Sequence, residues 1–135
     1  MELFISDLDG TLLNGNAEVT EFTRDTLNRL MAKGLNFTAA TARTLASAGK
    51  ILSGLNLKLP VILMNGVLIY DMAEKKYVKI NSLSRELCGL IIGLSKELGL
   101  EPFMYSVSDN QLATRYERLI LPAMKSFYNE RREKY

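Results

Sequence analysis

The 135-residue chain contains no histidine. That removes Ser-His-Asp and Cys-His catalysis together with every His-ligated metal site, so any catalysis must rest on carboxylates, hydroxyls and basic side chains. The one cysteine, Cys88, is too few for an internal disulfide or a Cys-rich metal site, which fits a reducing cytoplasm better than secretion. On its helix it reads as a small buried apolar residue. No apolar run approaches the length that spans a bilayer, and the basic and apolar regions of a signal peptide are missing from the N-terminus. Neither sign of charge dominates. The 17 basic residues against 15 acidic ones leave a net +2, which gives no electrostatic case for a nucleic-acid or membrane partner. The expectation is a soluble cytoplasmic protein whose 47% hydrophobic content suffices for a core.

Hydrophobic periodicity orders the chain. Leu3 to Ser6 reads as a short buried strand. Thr20 is a good N-cap for a helix with Phe22, Leu27, Leu30 and Met31 at helical spacing, closed by Lys33-Gly34. Leu35 to Ala40 forms a second strand, and Leu45, Ala48, Leu52 and Leu55 give a second helix its buried face. Val61 to Met64 is a third strand, which Asn65-Gly66 turns into Val67 to Tyr70. Strand, helix, strand, helix, strand implies a parallel sheet. The pattern then changes. Tyr77 to Ile80 pairs with Val67 to Tyr70, and a helix from Ser84 to Leu98 is expected to bury Leu87, Ile91, Leu94 and Leu98. Pro102 to Val107 and Gln111 to Thr114 suggest a hairpin around Ser108-Asp109-Asn110, followed by a helical tail that Pro122 kinks or restarts. The last charged run, Asn129 to Lys134, reads as a solvated helix end. An α/β core over 1–82 followed by a smaller α+β module over 83–135 is the domain expectation.

Chemistry gathers at the strand ends. In open α/β sheets ligands bind outside the carboxyl ends of the strands, where Asp7, Asp9, Thr41, Arg43 and Asn65 all fall. Asp7 and Asp9 flank Leu8, so in an extended segment both carboxylates emerge on one side. A divalent cation between them would make that tolerable, and oxygen-only ligation suits Mg²⁺ and phosphate substrates. Backbone N–H groups at Gly10 and Thr11, with the Thr11 hydroxyl, could hold phosphate oxygens, and Arg43 could add a charge-assisted contact.

Three stretches carry a family resemblance. "DLDGTLL" resembles motif I of the haloacid dehalogenase (HAD) superfamily, "FTAATAR" resembles its motif II, and "PVILMNGVLIYD" is similar to the segment that precedes a C2-type cap in the Cof-type sugar-phosphatase subfamily. The resemblance implies a partial Rossmann-like parallel-sheet core followed by part of an α+β cap. It also implies hydrolysis of small phosphorylated metabolites such as sugar phosphates through an aspartyl-phosphate intermediate. Asp7 would be the nucleophile, and Asp9 would protonate the leaving alcohol and then activate water. Mg²⁺ would sit on the Asp7 carboxylate and the Asp9 backbone carbonyl. Thr41 would bind the transferred phosphoryl group, with Ala42, Arg43 and Asn65 on the substrate side. A response-regulator-type phospho-acceptor fits less well, because no Asp follows Leu35 to Ala40 or Val61 to Met64.

The departures carry their own expectations. Motif II in these phosphatases reads Thr-Gly-Arg, whereas this chain has Thr41-Ala42-Arg43, tolerable where the backbone is not at positive φ. Nothing resembles the motif III lysine or the motif IV acidic pair, so the chain resembles the N-terminal half of a family member. Weak or absent turnover is the expectation, with a non-catalytic fragment or remnant as the alternative. An uncovered sheet edge would favour self-association.

Overall fold

A computed structural model describes residues 2–131. The chain divides between Asn81 and Ser82 into two compact units, and each is described by itself.

In the first unit β1 (Leu3–Ser6) runs parallel to β2 (Asn36–Ala39), with Phe4 opposite Phe37 and Ser6 opposite Ala39. Helix α1 (Glu21–Ala32) connects them; the Thr20 hydroxyl caps it by accepting from the Thr23 N–H at 3.2 Å. Gly34, at φ +101°, gives the chain the left-handed exit it needs to turn back into β2. Helix α2 (Leu45–Leu52) leads to β3 (Val61–Leu63), which joins the parallel array through the bridge from Ala40 to Ile62. The parallel character ends there, because β3, β4 (Leu68–Asp71) and β5 (Lys76–Ile80) form an antiparallel meander.

The core of this unit lies under β2, β3 and β4. Phe37, Ala39, Val61, Leu63 and Leu68 are buried with Leu8, Met31, Ala48 and Leu52 around them. Thr38 is buried too, and its hydroxyl is satisfied by donating to the Pro60 carbonyl at 2.7 Å. Asn28 on α1 fastens the end of the α2 segment, donating to the Gly54 carbonyl at 2.9 Å and accepting from the Asn56 N–H at 2.8 Å.

Strand β1 departs from expectation. Leu3, Phe4 and Ile5 are 50–55% exposed, not buried. Among the described residues β1 pairs with β2 alone, so its other edge is open and its side chains lack a second neighbouring strand. Phe22 on α1 is likewise exposed despite its helical spacing.

The second unit holds α3 (Arg85–Glu97), the hairpin of β6 (Met104–Ser108) with β7 (Gln111–Arg115), and α4 (Pro122–Arg131). Ser84 caps α3 by accepting from the Leu87 N–H. Asp109 and Asn110, at φ +48° and +60°, make the two-residue turn whose twist suits a hairpin. Pro122 starts α4 at its first position, where a missing N–H costs nothing. The expected burial of Leu87, Ile91, Leu94 and Leu98 is not observed; they are 41–74% exposed. A two-stranded hairpin and one further helix offer too little surface to cover that stripe, and Met124 is the unit's one buried apolar residue among those described. Phe103, Tyr116, Phe127 and Tyr128 form a ring cluster instead, with centroids 5.0–5.8 Å apart. Cys88 is a free thiol on α3, only partly buried. Arg132, Glu133 and Lys134 of the charged run lie outside the described residues.

Candidate active site

The carboxyl ends of β1, β2 and β3 meet around a cavity of about 430 Å³ lined by Asp7, Asp9, Ala40, Thr41, Ala42, Ile62, Asn65 and Gly66. Backbone bonds bring these ends together. The Ala40 N–H donates to the Ser6 carbonyl at 2.9 Å, and the Thr41 N–H donates to the Ile62 carbonyl at 2.9 Å. The parallel pairing that exposes side chains on β1 thus also delivers its two aspartates to the neighbouring strand ends.

Leu8 sets the aspartates' direction. It is fully buried while the residues on either side are exposed, so the chain dips into the core for one residue between them. Its N–H donates to Asp7 Oδ1 at 2.7 Å, and its carbonyl accepts from the Leu13 N–H at 2.9 Å, closing a wide turn. Gly10 sits in that turn at φ +73°, ψ 3°, a left-handed conformation that costs a residue with a Cβ about 1 kcal/mol or more.

The loops after β2 and β3 are cross-tied. The Met64 N–H donates to the Arg43 carbonyl and the Asn65 N–H to the Thr41 carbonyl, each at 3.1 Å. These bonds hold Met64, Asn65 and Gly66 at φ +50°, +55° and +89°, three consecutive residues in the left-handed region. Asn and Gly tolerate that backbone, whereas Met does so at a cost repaid by the surrounding bonds. Asn81 adds one more, donating from its side chain to the Gly66 carbonyl at 2.8 Å. The Thr41 hydroxyl, buried, accepts from the Arg43 N–H at 3.2 Å, which leaves its hydrogen for another acceptor.

Arg43 answers the like-charge problem in a way the sequence did not suggest. Its Nε donates to Asp9 Oδ2 at 2.8 Å and its Nη2 to Asp9 Oδ1 at 2.6 Å, a two-point ion pair across 34 positions of sequence. These bonds hold the Asp9 carboxyl below its ordinary range against a smaller opposing effect of burial, and they raise the Arg43 guanidinium correspondingly.

Of the residues singled out from sequence, Asp7, Asp9, Thr41, Ala42 and Asn65 share the cavity wall; Gly10, Thr11 and Arg43 do not line it. Ala42 is not at positive φ, so the methyl that replaces the expected glycine hydrogen causes no backbone strain. Gly66, read from the sequence with Asn65 as a turn or a substrate-side pair, lines the cavity too, whereas Ala40 and Ile62 were not anticipated. Their signal was position alone, one residue from the strand ends already marked.

A hard cation needs oxygen donors. The Asp7 carboxylate and the Asp9 backbone carbonyl are of the right kind, but Asp9's own carboxylate is taken by Arg43. No group of three or more acidic, His or Cys residues able to hold a metal occurs among the described residues. The set suits an ion such as Mg²⁺ that keeps several waters and shares substrate phosphate oxygens, and it falls short of an all-protein cage.

This α/β fold, with paired aspartates after the first strand and a threonine after the second, has known relatives. The model of the haloacid dehalogenase-like hydrolases matches residues 4–134, and the chain belongs to that family. It is 32% identical over 133 residues to a Haemophilus influenzae protein that carries a phosphatase name by inference, covering 93% of this chain and 45% of that protein. The crystal structure of TM0651 from Thermotoga maritima superposes with a TM-score of 0.70 at 25% identity, covering 96% of this chain and 46% of the other. The subclass IIB sugar phosphatase BT4131 shares the fold with a TM-score of 0.58 at 20% identity, covering 84% and 44%. The chain therefore spans less than half the length of each of these relatives. No helix among the described residues is long and apolar enough to cross a membrane.

Proposed function

We propose that the cavity is a phosphoryl-transfer site for small phosphate monoesters, sugar phosphates among them, in which Asp7 is the nucleophile. The observation that carries this reading is the shared wall of Asp7, Asp9 and Thr41 around one cavity. An Asp7 oxygen attacks phosphorus, forming an aspartyl phosphate as the P–O bond to the leaving alcohol breaks. Asp9 delivers the proton to that alcohol from its protonated form, which the pairing with Arg43 makes scarcer and which therefore slows this step, and then, as carboxylate, takes one from the water that hydrolyses the intermediate. The Thr41 hydroxyl donates its free hydrogen to a phosphoryl oxygen, with Asn65 and the backbone at Ala42 on the substrate side and the Gly10-Thr11 turn supporting the wall. Bound Mg²⁺, held by the Asp7 carboxylate and the Asp9 carbonyl, would offset the phosphoryl charge.

Residues 1–82 are read as the part of the core that carries this site and 83–135 as part of a cap. Among the described residues the cavity wall contains no lysine and no third carboxylate, so slow turnover is expected of the chain alone. The same feature favours a second reading, a non-catalytic portion of such a phosphatase. Self-association through the open edge of β1 is supported by the exposure of Leu3, Phe4 and Ile5, and sedimentation velocity tests it. For the activity, mass-verified chain is assayed on p-nitrophenyl phosphate and sugar phosphates with and without Mg²⁺. Slow, Mg²⁺-dependent release abolished by Asp7→Asn is expected. Release that survives Asp7→Asn refutes the site, and rates near the common enzyme value of about 10 s⁻¹ refute the impairment.

A further inference from the structure

Two carboxylates on one cavity wall should repel the anion that the site is read as binding. Arg43 removes one of those charges. Its guanidinium meets both oxygens of Asp9, at 2.8 and 2.6 Å, yet it does not line the cavity. The side chain is 26% exposed against 55% for Asp9, so the cation is the more sheltered partner. Its backbone is fixed on both sides, through the bond from its N–H to the Thr41 hydroxyl and the bond from the Met64 N–H to its carbonyl. A charge anchored at both ends of its residue and turned onto Asp9 is placed to act on that carboxylate.

We propose that Arg43 is a positioning and charge-masking residue: it holds the Asp9 carboxylate at the cavity wall and neutralises it, so that an incoming phosphate faces one negative charge, that of Asp7, instead of two. The inference rests on the phosphoryl-transfer reading of the same cavity and assigns Arg43 a role other than direct phosphate contact. Its consequence is directional. Removing the guanidinium uncovers a negative charge, which must weaken an anion in the cavity and strengthen a cation. For charges about 4 Å apart in a solvent-exposed setting the effect is about fivefold in each equilibrium constant. It shrinks as salt rises, with a screening length of about 10 Å at 0.1 M.

Binding by the full chain is measured at low ionic strength, with inorganic phosphate followed by calorimetry and Mn²⁺ followed by electron paramagnetic resonance. Arg43→Ala is expected to weaken phosphate about fivefold and to tighten Mn²⁺ about fivefold. Arg43→Lys, which keeps the charge and loses the two-point geometry, should retain most of the phosphate affinity. The decisive variant is Asp9→Asn combined with Arg43→Ala, in which the uncovered charge is itself gone. Phosphate affinity should return to within about twofold of the original chain, the residual being the lost positioning. A double variant as weak as Arg43→Ala would show that Arg43 touches phosphate itself, and would overturn the proposal while leaving the phosphoryl-transfer site standing. Loss of both ligands in Arg43→Ala would reduce Arg43 to a structural tie and also overturn it. A starting chain that binds no phosphate would overturn this proposal and the phosphoryl-transfer reading together.

Discussion

Leu8→Ala separates the packing of the site from its chemistry. Leu8 is fully buried between two exposed aspartates, and the only other buried residue of the turn is Leu13 at its far end. Truncation removes most of a Leu side chain from apolar surroundings and leaves a cavity, and comparable Leu→Ala changes cost about 2–5 kcal/mol. A value near 3 kcal/mol is expected here, because the strand ends around Leu8 are cross-tied by backbone bonds and cannot collapse inward freely. Against a typical stability of about 5–15 kcal/mol, that is a large share. The assay is urea unfolding followed by circular dichroism. With a slope of about 1–3 kcal/mol/M the midpoint should fall by about 1 M or more at unchanged slope. Leu8→Met, close in volume, should lose less than about 1.5 kcal/mol and keep phosphate binding. A loss below about 1 kcal/mol for Leu8→Ala at unchanged slope would refute the claim that this residue anchors the two carboxylates.

Asn65, at φ +55°, should tolerate Asn65→Gly with little change, whereas Asn65→Ala should lose about 1 kcal/mol in the same unfolding assay. Asn28→Ala breaks both bonds that tie α1 to the Gly54–Asn56 loop and should cost about 1–2 kcal/mol, read as an earlier thermal midpoint. The Asp9–Arg43 pair has a pH signature. Because folding depresses the Asp9 carboxyl, the pair's contribution is fully present above the unfolded Asp value of about 3.9 and is lost as pH falls through the lower folded value. With Asp9 largely solvated, that contribution is at most about 1 kcal/mol, so the stability difference between the original chain and Asp9→Asn should vanish at acid pH. A difference that grows on acidification would contradict the pairing.

Local order was legible because local chemistry sets it. Thr20 caps the helix it was expected to cap, the second unit's first helix starts just after Ser84 as expected, and Asp109-Asn110 makes the hairpin turn. The errors share one cause. Periodicity on α3 shows that Leu87, Ile91, Leu94 and Leu98 share a face, but burial requires a partner surface, and no property of the helix itself supplies one. The same holds for β1, whose apolar run was read as buried although among the described residues it pairs with β2 alone. At the site, strand-end position was enough to mark Asp7, Asp9, Thr41 and Asn65. The pairing of Arg43 with Asp9 was not legible, because it joins residues 34 apart through the register of β1 on β2. Nor was the left-handed Met64, since the Asn-Gly that follows it announces a turn without saying that the preceding residue bends as well.

The central claim, that Asp7 accepts a phosphoryl group, is tested most directly by trapping the adduct. The chain is incubated with p-nitrophenyl phosphate and Mg²⁺, quenched in acid and reduced with borohydride, which converts an aspartyl phosphate to homoserine, and the peptides are then mapped by mass spectrometry. Homoserine at position 7, dependent on substrate and absent from Asp7→Asn, is the predicted result. Homoserine at another aspartate, or none anywhere in a folded chain that binds phosphate, would contradict the account.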